Sequence, residues 1–181
     1  MDFRIAFAGA SGTGKTTLLK HFSEALNLPI NPIGSRSVAA ELGFASPYDV
    51  DKAGQRAHFQ QLLLMKKLRW EAATDAFVTD RTPFDNLTYA AFHDVHSIDE
   101  NQLSSSLLGM KRYTHVFLCP IGAVFNPGDD AARLKDRMYH ILYESMLRGL
   151  LGQLENKPHV VCESDSNRRI ALVRRVLDAS G

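Results

Sequence analysis

The sequence predicts an α/β fold, a parallel sheet with helices on both faces, and two observations carry that expectation. Short apolar runs at residues 3–8, 76–80, 113–119 and 159–162 alternate with longer segments whose apolar residues recur at helical spacing. That alternation is the pattern of strand–helix–strand units. The first run also passes through a glycine-rich turn straight into a helical pattern, Thr17-Leu18-Leu19-Lys20-His21-Phe22. With 181 residues, 45% of them hydrophobic, the chain suits one domain over residues 1–181 with a sizeable core.

The turn reads Gly9-Ala10-Ser11-Gly12-Thr13-Gly14-Lys15-Thr16. Strand, glycine loop, lysine and hydroxyl in this order form the phosphate-binding P-loop, or Walker A, pattern. Glycines let the backbone turn so that successive N–H groups converge on phosphate oxygens, and the following helix points its positive dipole end at the same anion. Gly9, Ala10, Ser11, Gly12, Thr13, Gly14, Lys15, Thr16 and Thr17 are therefore expected to bind a nucleotide, with Lys15 on the β- and γ-phosphates and Thr16 ligating Mg²⁺.

A helix is expected over residues 15–26. Pro29 and Pro32 bracket an extended piece at 29–33, placed at a sheet edge because proline cannot donate to a central ladder. Ser35 is expected to cap a short helix that Gly43 ends. Arg36 lies just past a strand's carboxyl end, where open α/β sheets bind ligands, so it reads as a phosphate or substrate contact or as a solvated arginine. Residues 44–51 read as a loop, and a long helix is expected over 51–74 with Asp51 as its cap. Arg56, Gln60 and Lys67 repeat on a side of that helix away from its apolar residues. A solvated face is one reading; substrate contact by Arg56 or Gln60 is the other.

The strand at 76–80 ends in Asp80, followed by Arg81, Thr82 and Pro83. A carboxylate there is placed to hold the water shell of Mg²⁺ or to accept a proton from an attacking hydroxyl. Arg81 beside it suits a phosphate or an anionic transition state. The plainer alternative makes Asp80 a helix cap and nothing more. In the helix expected over 83–92, Phe84 and Tyr89 either stack on a base or pack in the core, with Asp85 and Asn86 close to the same place. His93 and His96 lack a third ligand and read as surface residues. A helix is expected over 98–110.

The third strong strand, 113–119, is stopped by Pro120. A Gly/Pro-bearing loop at 121–130 leads into a helix expected over 130–154, where Arg133 and Arg137 share one face. Residues 121–137 suit a closing lid that neutralises charge on a transferring phosphoryl group. After the strand at 159–162, Ser164-Asp165-Ser166 is expected to cap a terminal helix, with Arg168 near a bound base and Arg168, Arg169, Arg174 and Arg175 otherwise forming a basic face.

A net charge of +1 gives no general field for nucleic acid or membrane. Without a signal peptide or a run long enough to span a bilayer, a cytoplasmic protein is expected. Cys119 and Cys162 sit in strand-like runs and read as buried reduced thiols.

P-loop, strand-end Asp-Arg and paired arginines together resemble the P-loop kinases of nucleosides and nucleotides. The likeness is strongest to phage-type deoxynucleoside monophosphate kinases and the ribosylnicotinamide-kinase-like branch. It extends over Gly9–Thr16, Ser35-Arg36, the Gln-bearing helix, Asp80-Arg81-Thr82-Pro83-Phe84-Asp85 and Asp129-Asp130-Ala131-Ala132-Arg133. Related lids often carry glycine where Ala131 or Ala132 stands. The resemblance implies a three-layer fold with a five-stranded sheet in the order 2-3-1-4-5, ATP as donor and Mg²⁺ as cofactor. It implies transfer to a nucleotide-type acceptor, a (deoxy)nucleoside monophosphate first. Lys15, Asp80, Arg81, Arg133 and Arg137 would be catalytic, Thr16 and Asp80 would serve the metal, and Arg36, Arg56, Gln60, Arg81, Phe84 and Tyr89 would line the acceptor site. A nucleoside or a hydroxylated base in DNA are alternative acceptors, the near-neutral charge disfavouring DNA. A homodimer is compatible with this reading. A GTPase switch fits less well: Asp51-Lys52-Ala53-Gly54 matches the loose Asp-x-x-Gly pattern but follows no strand, and no Asn-Lys-x-Asp motif exists. A mechanical ATPase would need paired acids at a strand end, where only Asp80 stands.

Overall fold

β1 (Arg4–Ala8) lies at the centre of the sheet and is apolar on both faces, so its side chains divide by the two-residue period of a strand. Ile5 and Phe7 join Leu18, Phe22, Val78, Phe117 and Val173 in one core, under α1 (Lys15–Leu26) and α8 (Ser166–Asp178). Ala6 and Ala8 face the opposite core, with Phe77, Leu118, Phe84 and Leu87 of α5 (Pro83–His93), and Tyr143 and Leu147 of α7 (Arg137–Leu151). The three layers anticipated from the alternating runs are thus present. The computed structural model describes residues 2–126, 128 and 136–180.

Among the described residues four parallel strands run in the order β2-β1-β3-β4, with β2 at Phe77–Asp80, β3 at His115–Leu118 and β4 at His159–Val160. β1 pairs with β2 through Phe7↔Asp80 and with β3 through Ala8↔Leu118, so the ends of these strands and the P-loop reach one carboxyl edge. The expected fifth strand is reduced to a single bridge, Ile30↔Val78, outside β2. Asn31 N–H and Val78 N–H each make one bond across it, at 3.0 Å. Pro29 and Pro32 flank the bridge and supply no donors, so the ladder stops there. The order is the expected one, with its edge strand cut to one pair.

The helix expected over 51–74 is two helices, α3 (Pro47–Lys52) and α4 (Arg56–Ala72). Gly54 between them has φ 68°, a left-handed turn that ends α3. The cap of α3 is Ser46, whose hydroxyl accepts from Asp49 N–H, with Pro47 at the first helical position; Asp51 lies inside the helix. Similarly α2 (Ser35–Glu41) begins after Gly34, so Ser35 is its first residue and not its cap. α6 spans Glu100–Met110 and is capped by Asp99. α7 is capped by Asp136; the expected lid arginine Arg133 lies outside the described residues, as do most positions of the start expected at 130. Cys119 is buried, but Cys162 is exposed. Val161 turns into the core, so alternation sends Cys162 to the uncovered side of the edge strand.

One glycine is fixed by the crossing of two strand ends. Gly9 has φ 127°, and a Cβ there would lie 2.5 Å from the Cys119 carbonyl oxygen. Gly9→Ala is expected to cost about 1–3 kcal/mol in a denaturant melt, the scale of backbone strain. Gly122→Ala, where a Cβ meets nothing within 4 Å, is expected to stay within about 0.5 kcal/mol.

Candidate active site

The carboxyl edge of the sheet opens into a cleft of about 1060 Å³. Its floor is the P-loop, and its far wall is built from α4, α5 and the first turn of α7. Of the residues singled out in the sequence, Ser11 to Thr17, Arg36, Arg56, Gln60, Asp80, Arg81 and Tyr89 all line it. Gly9 and Ala10, at the start of the loop, are buried and do not line the cleft.

Lys15 is buried although its side chain is charged. Its ammonium donates to the Ala10 carbonyl and, at 3.4 Å, to the Thr13 hydroxyl, and burial, with the nearby Arg81 charge, lowers its pKa. Thr16 and Thr17 are exposed at the start of α1, whose first backbone N–H groups have no partner within the helix. Across the cleft, Asp80 Oδ1 is buried and has no hydrogen-bond partner among the described residues. A hard oxygen of this kind, in the same cleft as the exposed Thr16, fits a divalent cation and its water shell.

Arg81 is the only residue besides Asn27 with positive φ and a side chain among the described residues, at 71°. Its N–H donates to Phe7 O at 2.8 Å, continuing the β1–β2 ladder past the strand. The left-handed turn then swings the guanidinium back over the loop, where it donates to Ser11 Oγ at 2.9 Å, Gly9 O at 3.3 Å and the Tyr143 hydroxyl at 3.2 Å. The guanidinium lies 4.8 Å from the centre of the Tyr89 ring. Burial opposes its charge, but Tyr89, Tyr143, Asp80 and Asp85 outweigh that and hold the cation firmly.

Two buried residues that sequence reasoning did not assign to the site anchor this turn. Asp85 is fully buried; its carboxylate accepts from Gly9 N–H at 3.1 Å, Tyr143 O–H at 2.8 Å, Thr82 N–H at 2.8 Å and Thr82 O–H at 2.7 Å. It thereby closes a capping box on α5 and fastens the P-loop to α7. Burial, then the Asp85 carboxylate, pushes the Tyr143 phenol well above its ordinary pKa, so it stays a donor. Lys67 of α4 donates to Asp80 O at 2.6 Å, Arg81 O at 3.2 Å and Thr79 Oγ1 at 3.2 Å. The solvated face expected for Gln60 and Lys67 is in fact buried.

Other expectations move. Phe84 is 2% exposed in the core between sheet and helices and does not line the cleft. Arg137, the first residue of α7, is exposed and outside it too. Arg168 is exposed and away from the cleft, whereas its neighbour Arg169 is buried there, donating to Thr13 O at 2.8 Å. Its guanidinium covers Gly14, where a Cβ would lie 2.6 Å from Nη1. The signal was present: Arg169, Val173 and Leu177 recur every four residues on the buried stripe of α8.

Comparison with known proteins matches residues 4–169 to the family described as AAA domain. The chain belongs to this family. A comparison with curated proteins gives no match. Among solved structures, a deoxyadenosine kinase from M. mycoides with dCMP and dCDP superposes with a TM-score of 0.65 at 17% identity, covering 98% of this chain and 99% of that one. The NadR protein in complex with NR gives 0.66 at 12% identity, covering 98% of this chain and 49% of NadR. Thymidylate kinase from Ehrlichia chaffeensis gives 0.57 at 17% identity, covering 97% and 98%. The fold is that of the P-loop nucleoside and nucleotide kinases, as the motifs implied.

The Asp85 cluster makes a stability prediction. Asp85→Asn puts an NH₂ against donors, and is expected to lower stability by about 1–3 kcal/mol. Tyr143→Phe removes one donor of the four and should cost less. Chemical denaturation of both variants checks this, and a silent Asp85→Asn would mean that the cluster is not holding the turn.

Proposed function

We propose that the protein is an ATP- and Mg²⁺-dependent kinase that phosphorylates a nucleotide-type acceptor, with a (deoxy)nucleoside monophosphate as the first choice. The observation that carries this is the composition of the cleft. Among the described residues, Lys15, Arg36, Arg56, Lys67, Arg81 and Arg169 line it against two carboxylates, Asp51 and Asp80. That excess of cations suits two anionic ligands, a donor triphosphate on the P-loop and a phosphorylated acceptor opposite. The aromatic residues Tyr48, Phe59, Tyr89 and Tyr139 supply flat surfaces for an acceptor ring.

Backbone N–H groups of the P-loop and the Lys15 ammonium would hold the donor phosphates, Lys15 giving up its bonds to Ala10 and Thr13 to do so. Thr16 and Asp80 would hold Mg²⁺, which when bound neutralises phosphate charge. Asp80 would also orient the acceptor's reacting oxygen and take its proton. Arg81, already fixed over Ser11, would hold phosphate between the two halves, and Arg56 would steady the acceptor. Arg133 and Arg137 belong to the proposed lid over residues 121–137. The acceptor assignment draws support from the likeness to a thymidylate kinase and from the cation excess, which a neutral nucleoside would leave partly unused; the likeness to a deoxyadenosine kinase with the products dCMP and dCDP bound keeps a nucleoside as the alternative.

Incubation with Mg·ATP and deoxynucleoside monophosphates should give diphosphate products. Lys15→Ala should abolish that activity, because it removes the charge that would hold the donor phosphates, with a melting curve to show that the variant folds without this buried side chain. Asp80→Asn should lower turnover by about 10²-fold while leaving ATP binding nearly unchanged, the scale for loss of a general base. A fully active Asp80→Asn enzyme would remove Asp80 from the chemistry, and a fully active Lys15→Ala would overturn the reading itself.

A further inference from the structure

The P-loop is held in shape by two distant parts of the chain. Gly12 and Gly14 have φ 77° and 73°, and Thr13 between them is not in that region. Backbone whose handedness alternates in this way turns successive N–H groups towards one point, an anion nest. A trans peptide sends its carbonyl and its N–H in opposite directions. Both carbonyls of this stretch are taken: Asn126 N–H donates to Gly12 O at 2.8 Å, and Arg169 Nη2 donates to Thr13 O at 2.8 Å. The N–H groups of Thr13 and Gly14 therefore turn to the other side.

Of the two ties, only Arg169 is a side chain. It stands in the first turn of α8, on the stripe that carries Val173 and Leu177, and is 4% exposed. Its Nη1 closes the side of Gly14 on which a Cβ would stand, and the Cys119 thiol takes a further bond from the same guanidinium. Among the described residues no carboxylate pairs with it. A cation so far from water and without a counter-ion calls for an anion close by.

We infer that Arg169 is a positioning residue of the donor site, holding the Thr13–Gly14 peptide so that the Gly14 N–H turns to the donor's phosphates. It acts through the loop and touches neither base nor sugar. Without its bond the Thr13 carbonyl would stay buried with no partner. The freedom of Gly14 would then let the peptide turn over, taking away an N–H and aiming an oxygen at the phosphates.

The inference rests on the donor half of the kinase reading and is tested by binding alone. Arg169→Met keeps an unbranched stem but donates nothing, whereas Arg169→Lys keeps a charged donor. Titration calorimetry with inorganic tripolyphosphate and with Mg·ATP should show both bound about tenfold more weakly by Arg169→Met, the scale of one hydrogen bond to a charged group. Arg169→Lys should fall between that variant and wild type, with melting curves confirming the fold. In ¹H–¹⁵N spectra, saturating tripolyphosphate should move the Thr13 and Gly14 amide signals downfield in wild type and less far in Arg169→Met. If Arg169→Met does not fold, Arg169→Lys is read in its place, with a loss above about threefold expected because its single donor cannot also cover Gly14. Lost ATP affinity with tripolyphosphate binding intact would put Arg169 on the base or sugar, and equal amide shifts at saturation would make it a plain charge. Either result overturns the inference, as does a folded Arg169→Met within about threefold of wild type, or a wild type that binds neither probe. An insensitive Arg169→Met in an active kinase would reject the inference alone. Matched losses in a protein that transfers no phosphoryl group would preserve it and reject the kinase reading.

Discussion

A single buried carboxylate ties the site together. Asp85 has no solvent exposure, and its four hydrogen bonds come from three different parts of the chain: the first residue of the P-loop, the cap of α5, and α7. Hydrogen bonds to a charged group are worth about 1.5–3 kcal/mol each when made, and an ion left unpaired inside costs more than that. The four donors satisfy this buried carboxylate, and the Arg81 guanidinium lies 3.7 Å away. In return the carboxylate ties the P-loop to the helices of the opposite cleft wall. The cost of burying Asp85 becomes the rigidity of the site.

Around that anchor, the strained turn at Arg81 acquires its purpose. An arginine at φ 71° stores energy unless its surroundings over-determine it. Lys67 binds the carbonyls on both sides of the turn, Phe7 holds its N–H, and the side chain is bonded to the P-loop. Asp80 is thus presented at the strand end with one oxygen unbonded and its backbone immobilised. Preorganisation of this kind lowers the reorganisation needed when charge develops in the cleft.

The parts legible in the sequence were those fixed by local spacing. The P-loop, the strand ends, the Thr82–Pro83 helix start and the two-faced β1 follow from contiguous residues, and the folded chain contains all of them. Readings that depended on which way a helix faces were less legible. Arg168 and Arg169 are adjacent, and only the buried stripe of α8 tells which one reaches Gly14. Lys67 read as solvated, and Gln60 as either solvated or a substrate contact, because both are polar; α4 turns them into the cleft, where the end of β2 and Asn86 supply partners. Phe84 reads as a stacking residue when its helix is considered alone, and as core once the sheet lies beneath it. The edge strand failed for a local reason, the prolines on either side of it. Asp85 escaped notice as an anchor because its other partners, Gly9 and Tyr143, are 76 and 58 residues away.

The central claim is that the two halves of this cleft serve one transfer, with the P-loop side delivering a phosphoryl group to a molecule held by the opposite wall. Following ATP consumption by ³¹P NMR with and without deoxynucleoside monophosphates tests it most directly. The account predicts that ADP formation depends on the acceptor and that each ADP is matched by one phosphoryl group on the acceptor, with little inorganic phosphate. Inorganic phosphate released in step with ADP, at the same rate whether or not an acceptor is present, would contradict it and leave a P-loop ATPase in its place.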